Sequence, residues 1–401
     1  MLKVKNDIDM ALDRSEGTLL LMLDLSAAFD TVDHSLLVDR LEKTYGVQSC
    51  ALKWMKEYLT KRSHVVEIAG SSSQKYCVRK GVTQGSVLGP QLFLCYIKPL
   101  SNVLKKHPVS YHVYADDVQI YKHFKLGDME NFWAGMRCLQ SCAADVRSWM
   151  NSNRLMLNDS KTELLVVAPK QHTESISSFN PTIQIGDANI TPVECVKNLG
   201  CLFDQHMSMV PQVRAVCRSM YFHLHQIGQI RHYLTREARA TAVVSLVLSR
   251  LDYNNGLLCE LPQSVLNRLQ VALNSAARLV MGIRRREHIS PVLKSLHWLP
   301  VKERIQFKVL LITYKVFHNI GSPPGYLSAI LEHYTPPRSL RSGSKDLLSV
   351  KKAKGKVGER AFQTAAPKYW NALSLHSRSA TTISSFRNNL KTELFKEAHG
   401  D

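Results

Sequence analysis

The sequence lacks the long apolar runs that would carry a chain into or across a membrane. Its first apolar run, "TLLLMLDL", is short and is interrupted by Asp24, whereas a spanning helix needs about 20 apolar residues. Because it is short and interrupted, the run is also not the apolar centre of a secretory signal peptide. We therefore expect no membrane partner and predict an intracellular location, in the cytoplasm, the nucleus or both.

Cysteines with the spacing of a metal site are lacking as well. The chain has nine scattered cysteines, an odd number, and none of them forms a C-x-x-C pair. Disulfide frameworks use even numbers of cysteines, and structural zinc sites use closely spaced ones. The pattern predicts reduced thiols, as in the cytosol or nucleus, and argues against structural zinc.

Acidic residues are scarce in the second half of the chain. The 401 residues carry 52 Lys and Arg against 33 Asp and Glu. Residues 1–170 carry 22 basic against 18 acidic residues, and residues 171–401 carry 30 against 15. An excess of this size indicates a polyanionic partner, most often nucleic acid. A basic surface that only confers solubility is the alternative.

Hydrophobic periodicity divides the chain into a mixed half and a helical half. The first half alternates hairpins with helices, among them one helix over 90–106 and a further hairpin over 181–205. After about residue 208 the pattern is mostly helical, and Trp298 and Trp370 have the spacing of core residues. Residues 335–358 are rich in Lys, Arg, Ser and Gly and are predicted to be mobile. The fold class is therefore α+β followed by a basic α-helical region.

Two adjacent acids stand in the middle of the strand-like stretch "VYADDVQIY". Asp116 and Asp117 could simply form a turn with both charges in water. Alternatively, they could bind a divalent cation such as Mg²⁺, which prefers oxygen ligands. A third acid, Asp24, ends a strand too apolar to be exposed, and a carboxylate there needs a cation or hydrogen bonds to offset its lost hydration. Three such acids could hold two metal ions for phosphoryl transfer.

Several motifs occur in an order that resembles one enzyme family. They are "LDLSAAFDTVDH", the Gly-rich loop "GVTQGSVLGP", "YADD", "LNDSKTELLV" and "VKNLGCLFD". Together they resemble the palm motifs of reverse transcriptases, and more narrowly those of LINE-type, non-LTR retrotransposons of the jockey-like groups. Later stretches such as "SLVLSRLDYNNGLL" and "SPVLKSLHWLPVKERIQ" resemble the carboxy-terminal region of the same group. The resemblance covers nearly the whole chain.

The resemblance implies catalytic and metal-binding roles for four residues. Asp24 and Asp116 match the metal ligands of the family, and Asp117 matches their companion acid. The implied cofactor is a pair of Mg²⁺ ions, with Mn²⁺ as the alternative. Lys161 matches a lysine that protonates the pyrophosphate leaving group; an exposed charge without that role is the other interpretation.

The resemblance also implies a nucleotide-binding surface. Phe29 matches an aromatic residue that packs under the sugar and disfavours a 2′-hydroxyl, although a core phenylalanine would have the same spacing. Gln84 and Gly85 match the loop that contacts the incoming nucleotide. The implied partners are an RNA template, a DNA primer and deoxynucleoside triphosphates.

The implied organisation has three parts. Residues 1–170 form the palm, with an antiparallel sheet, packed helices and the YADD hairpin. Residues 171–207 contain a primer-grip-like hairpin, and residues 208–401 form the helical thumb and carboxy-terminal region.

This sequence also departs from the family pattern. The fingers and the endonuclease that precede the palm in relatives are not expected here, because the chain starts about two dozen residues before Asp24. Thr83 stands where relatives usually have Pro, and Asn254 where "LDYCN" has Cys. The alternative hypothesis is thus a truncated, inactive remnant that only binds nucleic acid. On either hypothesis we expect the chain to bind nucleic acid and to polymerise poorly.

Overall fold

A computed structural model of the chain describes residues 1–321, 325–335 and 346–400. The chain divides into two compact units, one of residues 17–196 and one that joins residues 1–16 to the chain from Lys197 onward. The first helix, α1 (Leu2–Asp13), thus belongs to the same unit as the second half of the sequence. The three parts predicted from the sequence stay a prediction, since compact units and functional domains need not share boundaries. Of the segment predicted to be mobile, residues 336–345 lie outside the described residues.

The unit of residues 17–196 contains short strands and six helices. Its strands are β1 (Glu16–Leu23), β2 (Leu25–Ser26), β3 (Ser63–His64), β4 (Glu67–Ile68), β5 (Ser71–Ser72), β6 (Tyr76–Cys77), β7 (Ser110–Tyr114), β8 (Asp117–Lys125), β9 (Met156–Leu157), β10 (Glu163–Val167), β11 (Ile183–Ile185) and β12 (Ala188–Ile190). Its helices are α2 (His34–Lys43), α3 (Ser49–Thr60), α4 (Gly89–Ile97), α5 (Leu100–Leu104), α6 (Met129–Ser152) and α7 (Lys170–Ser177).

The centre of this unit is a four-stranded sheet in the order β10-β1-β8-β7. Strand β1 is paired on both sides and buried along its length, which explains why its sequence is apolar without alternation. It runs antiparallel to β10, with Leu20 opposite Leu165. The long helix α6 packs against β8. The palm expected from the sequence, an antiparallel sheet with packed helices, is confirmed.

Local sequence signals explain where two of the helices begin or end. Helix α2 begins after Asp33, whose carboxylate accepts hydrogen bonds from the backbone N–H groups of Ser35 and Leu36. The single helix predicted over 90–106 is wrong, because the structure has α4 and α5 with Pro99 between them. Proline fixes its own backbone and lacks an N–H donor, so it favours a helix boundary.

The single hairpin predicted over 181–205 is also wrong. The structure has two hairpins there: β11 pairs with β12, and β13 (Cys195–Asn198) pairs with β14 (Cys201–Asp204). The turn of the second hairpin contains Leu199 and Gly200, both with positive φ. Positive φ at both central residues is the signature of tight hairpin turns.

The other unit is almost entirely helical. After α1 its helices are α8 (Val210–Ile230), α9 (Arg236–Val243), α10 (Ser249–Asp252), α11 (Gln263–Met281), α12 (Ser290–Ser295), α13 (Val301–Phe317), α14 (Gly325–Ser328), α15 (Lys356–Glu359), α16 (Phe362–Ala372), α17 (Leu375–Arg378) and α18 (Ile383–His399). A π-helix, Val244–Leu248, joins α9 to α10, and a 3-10 turn follows at Asn255–Leu258. None of the helices in the described residues is both long and apolar enough to cross a membrane.

Aromatic side chains form one core of this helical unit. The ring of Tyr314 stacks on Phe386 with centroids 4.1 Å apart, and Trp370 lies 5.8 Å from the same phenylalanine ring. The Tyr314 hydroxyl donates to the carbonyl of Ala380 at 2.7 Å, which satisfies its buried polar end. Trp370 and Trp298 are both buried, so the prediction that they are core residues is confirmed.

Helix α1 is attached to the second half of the chain by polar contacts. The Asp13 carboxylate accepts hydrogen bonds from the backbone N–H groups of Lys354 and Gly355, at 2.9 and 2.7 Å, just before α15. Lys5 and Asp9 form a fully buried ion pair one turn apart on α1. The burial of Asp9 raises the pKa of its carboxyl group, and the ammonium of Lys5 opposes that shift. These buried polar groups keep their partners only if α1 packs in one position against its neighbours.

Two glycines offer a test of that fit. A methyl group at Gly358 would overlap the Asp13 carboxylate, so Gly358→Ala should lower the free energy of unfolding by about 1–3 kcal/mol. Gly228, inside α8, has no atom within 4 Å of an added methyl, so Gly228→Ala should raise it by about 0.5–1 kcal/mol. Urea unfolding of both variants checks the pair. Equal effects of the two substitutions would contradict the close packing of α1.

Candidate active site

The YADD stretch forms a two-residue turn between β7 and β8. Tyr114 and Asp117 are opposite each other in the antiparallel register, so Ala115 and Asp116 make the turn. Ala115 has a φ of 53°, in the left-handed region, as tight hairpin turns require. The turn thus places Asp116 at the tip of the hairpin and Asp117 at the first residue of a central strand.

Asp24 lies at the end of the sheet where β8 begins. At the other end, Thr18 Oγ1 lies 2.9 Å from His123 Nδ1, which pairs the start of β1 with the end of β8. The two strands are neighbours in the sheet. Because the start of one lies beside the end of the other, they run antiparallel. Asp24, directly after β1, consequently lies near Asp116 and Asp117.

The backbone around Asp24 is held by a second short pairing. Its carbonyl accepts a hydrogen bond from the N–H of Asn158 at 2.8 Å, and β2 pairs with β9 immediately after it. The following 3-10 turn, Asp159–Lys161, brings the Lys161 Nζ to 3.5 Å from Asp24 Oδ2. The guanidinium of Arg147 contacts both carboxylate oxygens of Asp159 at 2.7 Å and holds that turn.

The three acids interact electrostatically. Burial raises the pKa of Asp117, and the charges of Asp116 and Asp24 raise it further. Asp24 Oδ2 is buried and accepts no hydrogen bond from the described residues. The Lys161 ammonium, 3.5 Å from this oxygen, offsets part of its charge, and a divalent cation would supply the remaining compensation.

The acids are close but do not form a closed ligand shell. In the described part of the chain, no three His, Cys, Asp or Glu side chains converge tightly enough to hold a metal ion. The chemistry of the three acids nevertheless fits a hard divalent cation, since oxygen atoms are its preferred ligands and the buried oxygen of Asp24 lacks a donor.

The predicted nucleotide-binding residues meet in a neighbouring part of the same unit. The Phe29 ring, half-buried, stacks on Phe93 with centroids 4.6 Å apart. The Phe29 carbonyl accepts a hydrogen bond from Val82 N at 2.8 Å, which ties this turn to the Gly-rich loop. Gly85 has a φ of 80° and open space where a side chain would stand. A ligand could therefore approach the backbone at Gly85 closely.

Sequence reasoning missed two residues that hold the Gly-rich loop. Gln84 Nε2 donates to both carboxylate oxygens of Asp30, at 3.1 and 3.3 Å. The guanidinium of Arg62 donates to Thr83 Oγ1 at 2.7 Å and lies 4.1 Å from the centre of the Tyr58 ring. Arg62 lies two residues beyond the end of α3, and its spacing of four residues from Tyr58 was the signal in the sequence for the second contact.

Comparison with known proteins identifies the class of this chain. The family described as "Reverse transcriptase (RNA-dependent DNA polymerase)" matches residues 3–203, which include all of the predicted site residues. The chain belongs to the reverse transcriptase family. Members of this family use divalent metal ions, in keeping with the carboxylates at the sheet end.

The curated relatives narrow the class. The chain is 24% identical over 291 residues to "Probable RNA-directed DNA polymerase from transposon BS" of Drosophila melanogaster, which is 69% of this chain and 30% of the relative. It is 26% identical over 293 residues to the corresponding protein "from transposon X-element" of the same organism, which is 70% of this chain and 30% of the relative. A third relative, "RNA-directed DNA polymerase from mobile element jockey", is 21% identical over 68% of this chain and 29% of its own length.

These relatives are consistent with the LINE-type, non-LTR resemblance seen in the motifs. The chain spans about a third of the length of the curated relatives it matches. Among solved structures, telomerase from Candida albicans is similar over 77% of this chain and 51% of its own, with 13% identity and a TM-score of 0.33.

Proposed function

We propose that this chain is the polymerising part of an RNA-directed DNA polymerase of a non-LTR retrotransposon. The observation that carries the proposal is the grouping of Asp24, Asp116 and Asp117 at one end of the central sheet. Within that group, Asp24 has a buried oxygen without a hydrogen-bond donor. Paired carboxylates of this kind suit two-metal nucleotidyl transfer.

In this proposal the three acids hold the metal ions. Asp24 and Asp116 would bind two Mg²⁺ ions, or Mn²⁺ in their place, with Asp117 as the companion ligand. The bound ions would supply charge to activate the primer 3′-hydroxyl and to neutralise the triphosphate. Lys161, exposed and 3.5 Å from Asp24 Oδ2, is proposed to donate a proton to the departing pyrophosphate.

The residues of the neighbouring loop are proposed to orient the nucleotide. Phe29, supported by the stacked ring of Phe93, would lie under the sugar and disfavour a ribose. Gln84, held by Asp30, and Gly85, with its open backbone, would contact the incoming nucleotide. Because hydrogen bonds and stacking already fix these side chains, little ordering would be needed when substrate binds.

The proposed organisation follows from these roles. Residues 1–170 would act as the palm and residues 171–207 as the primer-gripping segment, with residues 208–401 as the thumb and carboxy-terminal region. The partners would be an RNA template, a DNA primer and deoxynucleoside triphosphates, with action inside the cell, in the cytoplasm, the nucleus or both.

Primer extension tests the proposal directly. Purified chain, an RNA template, a labelled DNA primer and deoxynucleotides should give slow but template-directed extension that requires Mg²⁺ and stops in EDTA. The matched control is Asp24→Asn protein from the same preparation. If the chain binds the primer–template but never extends it above that control, it binds nucleic acid without polymerising and the proposal is wrong.

A separate expectation concerns the basic second half of the chain. Residues 171–401 carry 30 basic against 15 acidic residues, and phosphate neutralisation releases counterions. If about six phosphates are neutralised, affinity for RNA should fall about a thousandfold between about 50 and 200 mM salt and vary little with base sequence. Fluorescence anisotropy across a salt series measures this. Salt-independent binding would mean that the charge serves only solubility.

A further inference from the structure

One carboxylate of the first palm motif has no role in the proposed metal site. The motif "LDLSAAFDTVDH" contains Asp24, Asp30 and Asp33. Asp24 is a proposed metal ligand, and Asp33 caps the start of α2. Asp30 is exposed and follows directly after Phe29. Any role of Asp30 must therefore come from what its side chain contacts.

The turn that carries Asp30 is joined to the Gly-rich loop by several short contacts. Gly81 N donates to Val32 O at 2.8 Å. His34 Nε2 lies 2.8 Å from Gly81 O, and because a carbonyl oxygen only accepts, this nitrogen carries the hydrogen. A methyl group at Gly81 would lie 2.8 Å from Asp30 O, so a side chain there would push the two segments apart. The turn and the loop are thus held in one arrangement.

The Asp30 side chain contacts one residue of that loop. Its carboxylate oxygens lie 3.1 and 3.3 Å from Gln84 Nε2, and no other described residue donates a hydrogen bond to them. Both side chains are exposed at this contact. An exposed hydrogen bond contributes little to stability, because water can replace either partner. What the contact determines is the position of the Gln84 amide.

The contact also fixes which atom of that amide is left for a ligand. A side-chain amide has an NH₂ donor on one side and a carbonyl acceptor on the other, and an ionised carboxylate only accepts. The NH₂ group of Gln84 must therefore face Asp30. Gln84 Oε1 accepts no hydrogen bond from the described residues, so it is available as an acceptor next to the open backbone of Gly85.

We propose that Asp30 is a positioning residue for the incoming nucleotide. It holds the Gln84 amide so that Oε1 accepts a hydrogen bond from an N–H or O–H group of the nucleotide. The proposal rests on the proposed function, in which Gln84 contacts the nucleotide. Without the Asp30 carboxylate, the amide populates both orientations, and one of them presents a donor where an acceptor is needed. Nucleotide affinity then falls, whereas the rate of reaction of the bound nucleotide changes little.

Titration of the full chain with dTTP and Mg²⁺, with no primer present, tests this role without polymerisation. In protein isotopically labelled at its glutamine amides, the NMR signal that Gln84→Met lacks belongs to Gln84. Asp30→Asn should shift that signal before nucleotide is added and should weaken dTTP binding about tenfold. The matched control is Asp39→Asn, at an exposed carboxylate of α2 that pairs with Lys43, and it should change neither.

Steady-state primer extension separates positioning from a general loss of activity. Asp30→Asn should raise the KM for deoxynucleotide about tenfold and leave kcat within about twofold. In protein that already carries Gln84→Met, Asp30→Asn should have no further effect on KM. If wild type extends no primer but the dTTP titration gives the expected result, the polymerase function fails and the role of Asp30 stands. Unchanged dTTP affinity in Asp30→Asn, or an equal further loss in the Gln84→Met protein, overturns the proposal.

Discussion

Asp116→Asn protein should extend an RNA-templated primer about a thousandfold or more slowly than wild type, because charge stabilisation by bound metal contributes several kcal/mol. Asp116 lies in the two-residue turn beside Asp117 and near Asp24. An amide retains the shape of the side chain but loses the charge that attracts a divalent ion. Single-turnover primer extension measures the loss.

The control for this prediction is a carboxylate outside the group. Asp39 is exposed and pairs with Lys43 on α2, so Asp39→Asn should leave the extension rate unchanged. Mg²⁺ should also raise the melting temperature of wild type and of Asp39→Asn, but not of Asp116→Asn, since a ligand that binds only the folded state stabilises it. Near-normal extension by Asp116→Asn would mean that Asp116 does not bind the catalytic metal ions.

The same variant should change how stability depends on pH in the absence of metal. The pKa of Asp117 is raised by burial and by the charges of Asp116 and Asp24. A carboxyl group with a raised pKa in the folded state contributes stability at pH below its unfolded value, and that contribution is lost as pH rises through the folded value. Asp116→Asn removes part of the repulsion, so stability should fall less over that interval than in wild type.

Phe29→Val is expected to raise the incorporation of ribonucleotides relative to deoxyribonucleotides by about tenfold or more, the usual scale for a pocket that changes by a few carbon atoms. The stacked ring of Phe93, 4.6 Å away, holds Phe29 in place. A valine would leave room where the 2′-hydroxyl of a ribose would otherwise meet the ring. Competitive primer extension with both nucleotide types gives the ratio.

A second phenylalanine separates this effect from loss of core packing. Phe132 is buried in the same unit and packs edge-on to Phe124. Phe132→Val should lower the melting temperature, because it leaves a cavity, and should not alter the ribose ratio. An unchanged ratio in Phe29→Val would mean that Phe29 is only a core residue.

Much of the palm could be predicted because its signals are local. The apolar run of β1 and the turn at Asp116–Asp117 each depend on neighbours in sequence. The predictions that were wrong concern segments whose local pattern is compatible with two different structures. Pro99 divided an expected helix, and two short hairpins replaced one between residues 183 and 204. Boundaries of short elements depend on packing as well as on propensity.

By itself, the sequence indicated the class of this protein, since the ordered motifs around Asp24, Gln84 and the Asp116–Asp117 pair resemble those of reverse transcriptases. Only the tertiary structure decided which side chains meet. The contact of Gln84 with Asp30 spans 54 residues, and the hydrogen bonds that Asp13 accepts from Lys354 and Gly355 span 341 and 342 residues. Periodicity and motif spacing report which face of an element is buried, but not which distant element covers it. Contacts at long sequence separation depend on how whole elements pack, and therefore appear only in the folded chain.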